Sequence, residues 1–258
     1  MDIRLDGRTA LITGGSKGLG LAMATRFAQS GAEVAILARG AEALAEAERG
    51  IRDKAQIRVK GFPCDVGKAE EIARAWNGVI AEFGKIDILV NNAGTSRTGP
   101  FEEITDAMWQ EDFDLKLFGA IRLARLALPN MRKRRWGRII NVLNVGAKAP
   151  RPGSAPTAVT RAAGLALTKI LSGEGAADNV LVNAMLVGLI RSDQHVQRFK
   201  REGRDVEEGY RERGSPLPMG RYGEAEEFAN LACFLVSDAG SYITGTAINV
   251  DGGMSPVV

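Results

Sequence analysis

The sequence predicts an α/β fold: one doubly wound parallel sheet of seven strands with helices on both faces. Three observations carry this expectation. Short β-branched or apolar runs alternate with helix-like stretches along the whole chain, the pattern of a parallel sheet joined by crossover helices. Runs such as Ile88-Leu89-Val90 are continuously apolar, as strands covered on both faces must be. No linker rich in Pro, Gly or Ser, no break in composition and no internal repeat divides the 258 residues, so residues 1–258 read as a single domain.

In order, the strands are expected at Thr9 to Thr13, Val34 to Ala38, Ile57 to Phe62, Ile86 to Asn91, Arg138 to Leu143, Val180 to Leu186 and Ala247 to Val250. The segments between them carry Ala, Leu, Glu and Arg at helical spacing. Residues 191–218 stand apart: they are dense in charge, contain Gly203, Gly209 and Gly214, and lack a clear apolar face. They read either as a mobile substrate lid over a site or as a solvated insertion.

Composition narrows the function classes. With 45% hydrophobic and 25% charged residues, the chain is an ordinary globular protein rather than a disordered, collagenous or disulfide-stapled one. Thirty-four lysines and arginines face 31 acidic residues, and the net +3 is spread out except at Arg132, Lys133, Arg134 and Arg135, so no nucleic-acid partner is expected. No apolar stretch approaches the ~18 residues of a membrane span, so no membrane partner is expected either. Cys64 and Cys233 lie far apart and outside any metal-ligand spacing, so no metal site is expected. Together with the lack of a signal peptide, these free thiols point to a reducing cytoplasm. The chain has one histidine, His195, and its three tyrosines, Tyr210, Tyr222 and Tyr242, lie in its last fifth.

Directly after the first expected strand comes Thr13-Gly14-Gly15-Ser16-Lys17-Gly18-Leu19-Gly20, followed by the helical stretch Leu21 to Gln29. Strand, glycine turn and helix N-terminus together form a pyrophosphate cradle, in which glycine permits the tight turn and lets backbone N–H groups reach the anion. The spacing is Gly-x-x-x-Gly-x-Gly. At the end of the second strand, where an acid would bind an adenosine ribose hydroxyl, Ala38 and Arg39 stand instead. Arg39, with Lys17 as a second cation, suits a 2′-phosphate, so NADP(H) is preferred over NAD(H). The other reading of Arg39, a solvated residue opening a helix, stays open.

These residues, with Asp65-Val66, Asn91-Asn92-Ala93-Gly94 and the ending Tyr242-Ile243-Thr244-Gly245 through Asn249-Val250-Asp251-Gly252-Gly253, resemble the short-chain dehydrogenase/reductase family over essentially the whole chain. The resemblance implies a Rossmann fold, a carbonyl or alcohol as small-molecule substrate, and a homodimer or homotetramer. It assigns Gly14, Ser16, Lys17, Gly18, Leu19 and Gly20 to the phosphate-binding turn, Asp65 and Val66 to the adenine, Asn92, Ala93 and Gly94 to the cofactor wall, and Leu189 and Ser192 to the carboxamide end.

Family members work with an asparagine, a serine and a Tyr-x-x-x-Lys pair. By register, the four positions here hold Lys116, Asn144, Thr157 and Arg161. No Tyr-x-x-x-Lys exists anywhere in the chain. An alkyl hydroxyl is a poorer proton donor than a phenol, and arginine does not relay protons. The expectation is therefore a divergent member lacking this catalytic set, with its standard hydride-transfer machinery missing. Lys148, Arg151 and His195 are expected to border the substrate pocket, and the cations there suit an anionic substrate. Three readings follow: a noncanonical NADP(H)-dependent oxidoreductase with a relocated or water-borne proton donor; a catalytically silent NADP(H)-binding protein or oligomer partner; and a non-redox lyase, hydratase or isomerase. Lys116, if buried beside Arg161, would have its pKa lowered and become a possible proton donor.

Overall fold

The structure, a computed structural model, describes residues 3–258. The chain runs β1 (Thr9–Thr13), α1 (Gly18–Gln29), β2 (Glu33–Ala38), α2 (Ala41–Ala55), β3 (Val59–Pro63), α3 (Ala69–Phe83) and β4 (Ile88–Asn91). It continues through α4 (Asp106–Phe113), a π-helical turn (Asp114–Phe118), α5 (Gly119–Lys133), β5 (Gly137–Asn144), α6 (Thr157–Gly175) and β6 (Val180–Val187). The last elements are α7 (Asp193–Arg201), α8 (Val206–Gly214), α9 (Ala225–Val236) and β7 (Ala247–Val250). Among the described residues, seven parallel strands form one sheet in the order β3-β2-β1-β4-β5-β6-β7.

Why the strands are apolar throughout is visible in the packing. Ala10, Ile12, Val34 and Ile36 join the layer built by Met23 and Phe27 of α1, Leu44 and Ile51 of α2, and Phe228 of α9. The residues between them, Leu11, Ala35 and Leu37, point to the opposite layer, with Ile72 and Val79 of α3 and Leu123 and Met131 of α5. Both faces are thus buried, and each such aliphatic side chain contributes ~1.5–3 kcal/mol by leaving water. The direction of chain progress reverses between β1 and β4, which opens a crevice at the carboxyl ends of those strands.

The charge-dense segment 191–218 does have an apolar face, contrary to expectation. It folds as α7 and α8, whose Phe199 and Tyr210 pack together with Tyr222 from the loop before α9. Gly209 permits the close approach of the two helices, because a Cβ there would lie 2.7 Å from the Phe199 ring. The Arg191–Glu207 ion pair joins the start of the segment to α8.

Candidate active site

The crevice is held open by a small polar knot. The Thr13 hydroxyl at the end of β1 accepts hydrogen bonds from the backbone N–H groups of Asn92 and Ala93, both at 2.9 Å, while the Asn92 side-chain amide donates to the Thr13 carbonyl at 2.9 Å. This fixes the end of β4 against the glycine turn. Gly14 and Gly18 have φ of 64° and 53°, which favour glycine. A Cβ on Gly20 would lie 2.1 Å from the Gly14 carbonyl oxygen, so the turn and the first turn of α1 close directly on one another. Among the described residues no side chain caps the N-terminus of this 12-residue helix, which leaves its first N–H groups available to an anion.

One cavity of about 510 Å³ connects this turn to the far end of the site. Gly14, Lys17, Gly18 and Leu19 line it at one side, Asn92, Ala93 and Gly94 form a wall, and Asn144, Thr157, Arg161, Leu189, Ser192 and His195 complete it. Several residues expected at the site lie outside this cavity. Gly20 is buried beneath the turn, Ser16 is half-buried within it, and Arg39 is exposed at the end of β2. Val66 is buried, and Asp65 caps its own loop by accepting from the Gly67 N–H at 3.0 Å. Lys148 and Arg151 do not border the pocket as expected: the Lys148 ammonium donates to the Ala247 carbonyl at 2.7 Å, and Arg151 is exposed.

Lys116, Asn144, Thr157 and Arg161 converge. Arg161 donates to the Val142 carbonyl at 2.8 Å, and its guanidinium lies over Gly94, where a Cβ would stand 2.5 Å from Nη2. Burial pushes this guanidinium down to about 10, opposed by the Asp112 charge. Lys116 lies in the π-helical turn with its side chain 1% exposed, just behind Thr157. Its ammonium donates to Asp112 and, at 2.8 Å, to the Thr157 hydroxyl. Asp112 also accepts from the Thr160 hydroxyl at 2.6 Å. The Thr157 hydroxyl donates to the Arg97 carbonyl at 2.8 Å and accepts from the Arg97 N–H at 3.0 Å. Burial pushes the Lys116 ammonium down to about 8; the hydrogen bond to Asp112 opposes this, and the nearby Arg161 charge adds to it.

No tyrosine approaches this cluster. Tyr210 of α8 and Tyr222 of the loop before α9 are buried in one small core with Phe199, and Tyr242 is exposed. Tyr210 instead fixes Ser192, donating to its carbonyl and accepting from its N–H, both at 3.2 Å. His195 packs edge-on against Tyr222 at 5.2 Å between ring centres, and burial, with Arg198 and Arg213 nearby, lowers its pKa. Asp112 and Thr160 were not anticipated as part of the site. The signal for Asp112 was its place four residues before Lys116 on one helical face.

The residues present fit a dinucleotide. The turn leaves no side chain at Gly14 and Gly18, and the cavity carries two buried polar atoms, Asn144 Oδ1 and Arg161 Nε, without a hydrogen-bond partner among the described residues. Such atoms in a native protein await a ligand or solvent. No group of His, Cys, Asp and Glu capable of holding a metal ion occurs among the described residues.

Comparison with known proteins agrees with this geometry. The family described as Enoyl-(Acyl carrier protein) reductase matches residues 14–255. A 3-oxoacyl-[acyl-carrier-protein] reductase FabG of Aquifex aeolicus is 34% identical over 254 residues, 98% of this chain and all of the relative. The protein of the same name from Thermotoga maritima is 32% identical over 255 residues, 98% of this chain and 99% of its own. The structure of L-sorbose reductase from Gluconobacter frateurii complexed with NADPH and L-sorbose superposes with a TM-score of 0.95 at 36% identity, covering all of both chains.

These findings correct the expectation of a divergent chain whose hydride-transfer machinery is missing. Proteins similar to it from end to end are reductases, one of them seen with NADPH and a carbonyl sugar. The readings as a silent dinucleotide binder and as a lyase, hydratase or isomerase fall with that expectation. What that expectation missed is the contact between two of the four positions: Lys116, behind the cavity wall, donates to the Thr157 hydroxyl that lines it. With a sheet order, glycine turn and strand-end asparagine all in place and a family match spanning nearly its whole length, the chain belongs to the short-chain dehydrogenase/reductase family.

Proposed function

We propose that the protein is an NADP(H)-dependent oxidoreductase that interconverts a small carbonyl compound and its alcohol. The observation that carries this reading is the single cavity joining the glycine turn to Asn144, Thr157 and Arg161. The turn residues and the α1 N-terminus hold the pyrophosphate, Arg39 and Lys17 hold the 2′-phosphate, and Leu189 and Ser192 border the carboxamide. Bound NADPH supplies the hydride. The Asn144 amide and the Thr157 hydroxyl hold the substrate oxygen and keep it oriented for transfer.

Arg161 supports a finer reading, an anionic substrate. It is a buried cation in the cavity wall whose only hydrogen bond among the described residues is to a backbone carbonyl, and a carboxylate would satisfy it. Residues 191–218 act as a substrate lid, since Ser192 and His195 at their start line the cavity. Exposed Leu126 on α5 and exposed Val159 and Ile170 on α6 support a homodimer or homotetramer. No helix among the described residues is long and apolar enough to cross a membrane, and a cytoplasmic location accords with the two free buried thiols.

The test is NADPH fluorescence titration followed by NADPH oxidation against 3-oxoacyl thioesters, ketoses and oxo acids. Micromolar NADPH binding, at least tenfold tighter than NADH, and turnover of one class are expected. Replacing Arg39 with Ala closes the gap between the cofactors. Failure to bind either nicotinamide dinucleotide refutes the proposal.

A further inference from the structure

Lys116 has a place in the reaction that the reading above leaves unused. An ammonium is costly to bury, and this one is buried beside a carboxylate that neutralises it. A purely structural ion pair would end there. Here the same ammonium also donates to the one hydroxyl that stands between it and the cavity. Asp112 is held in turn by the Thr160 hydroxyl, so one carboxylate oxygen is fixed by Thr160 while the other accepts from Lys116.

Resting on the reductase reading, we propose that Lys116 is the proton source for carbonyl reduction, acting through the Thr157 hydroxyl. As the carbonyl carbon takes the hydride that NADPH provides, the C=O electron pair moves onto oxygen. That oxygen takes the proton of Thr157, and the Lys116 N–H proton moves onto Thr157 Oγ1 in its place. Lys116 is left as a neutral amine and regains a proton from water once the alcohol departs. Thr157 never becomes an alkoxide, which removes the objection that an alkyl hydroxyl is too weak an acid. Its proton, which points at the Arg97 carbonyl in this structure, reaches the substrate by rotation about the Cβ–Oγ bond. Alcohol oxidation runs the same steps backwards and requires the amine.

The charged groups facing Lys116 are Asp112 from α4, Arg161 from α6 and Arg97 from the loop after β4. Their balance with burial places the ammonium near pH 8, within reach of a proton-transfer role. Reduction is therefore expected to be flat at acid pH and to fall tenfold per pH unit above about 8, with oxidation rising over the same range.

The experiment combines pH profiles with a direct titration. K116M should lower kcat for reduction by ~10²–10⁴, the usual worth of a positioned proton donor, with KM and the NADPH Kd within about threefold of wild type. K116R, which keeps the charge but does not release a proton, should lose the alkaline limb. Because K116M leaves Asp112 without its cation, the D112N/K116M double variant, which removes both charges, serves as the second test of the same loss. In protein labelled with ¹³C-lysine, one Cε resonance should titrate near pH 8 and be absent from K116R. An active wild type whose K116M and D112N/K116M variants keep kcat and the alkaline limb overturns the proton path alone. A wild type that binds NADPH but reduces no carbonyl overturns the functional reading, and the path with it.

Discussion

Replacing Gly20 with alanine tests whether the glycine turn is the dinucleotide cradle. Gly20 has an ordinary helical backbone, so alanine is not excluded by conformation. The obstacle is space: its Cβ would lie 2.1 Å from the Gly14 carbonyl oxygen and 2.7 Å from Asn92 Nδ2. Comfortable heavy-atom contact begins near ~3.5 Å, so the turn and the helix must separate by about 1.4 Å. Neither neighbour yields easily. One is backbone, and the other is already hydrogen-bonded to the Thr13 carbonyl at 2.9 Å. Overpacking of this kind costs ~1–3 kcal/mol, which for a chain of this length lowers Tm by roughly 2–12 °C. The displaced helix N-terminus should also weaken NADPH binding at least tenfold, about 1.4 kcal/mol. Gly50 provides the control. It is exposed within α2, and a Cβ there meets nothing within 4 Å. Gly50→Ala should therefore stabilise the protein by ~0.5–1 kcal/mol and leave NADPH affinity unchanged. Both variants are read by NADPH fluorescence titration and thermal unfolding followed by circular dichroism. A Gly20→Ala protein with wild-type Tm and a Kd within twofold of wild type would refute the cradle.

Four further perturbations follow from particular contacts. Arg161→Gln should raise KM for a carboxylate substrate about tenfold or more while changing that for a neutral carbonyl far less; equal effects on both would remove the case for an anionic substrate. Tyr210→Phe loses the hydroxyl that fixes Ser192 and should cost ~1 kcal/mol, seen as roughly fivefold weaker NADPH binding in the same titration. His195 has its folded pKa lowered by burial, so the unfolded chain takes up more protons as pH falls below about 6.5. Its stabilising contribution is complete above that pH and lost below it, and His195→Phe should flatten the decline of Tm between pH 6.5 and 5. Glu227, held at about 2 chiefly by Arg221 and by the capping box of α9, shows the opposite class of group. Its contribution is present above the unfolded carboxylate pKa near 4.5 and is lost as pH falls towards 2. Because the pair is half-exposed, Glu227→Gln should cost ~1 kcal/mol or less at pH 7, and the difference in Tm should vanish by pH 2.

Much of the fold was legible because its determinants are local. All seven strands begin and end within two residues of the apolar runs that marked them, since a run buried on both faces announces itself whatever its partners. The glycine turn was equally legible, its spacing being set by contacts among Gly14, Gly20 and the adjacent strand end. The segment 191–218 was not. Phe199 and Tyr210 are too widely spaced to form one helical stripe, and they become a core only when α7 packs on α8 and Tyr222, from the loop before α9, joins them. The same reason misplaced Lys148, whose partner is a carbonyl 99 residues away on β7.

The four substituted positions show where reading by register stops. Their numbers were recoverable from the separations along the chain, but the chemistry lies in contacts between them. The hydrogen bond from Lys116 to Thr157 spans 41 residues, and that from Thr160 to Asp112 spans 48. Neither is visible unless the π-helical turn brings Lys116 against the start of α6, and a single-turn widening of this kind has no strong sequence signature. Position by position, the loss of a phenol and an amine reads as subtraction. In the folded chain an ammonium has been supplied from a different helix to the hydroxyl that remains. The counterpart is that Thr157→Val should abolish the effect of replacing Lys116, because the path from the ammonium to the cavity then has no second donor. A double-mutant cycle on kcat with K116M and T157V measures this: losses that fail to add are expected, and additive losses would mean that the two side chains act separately.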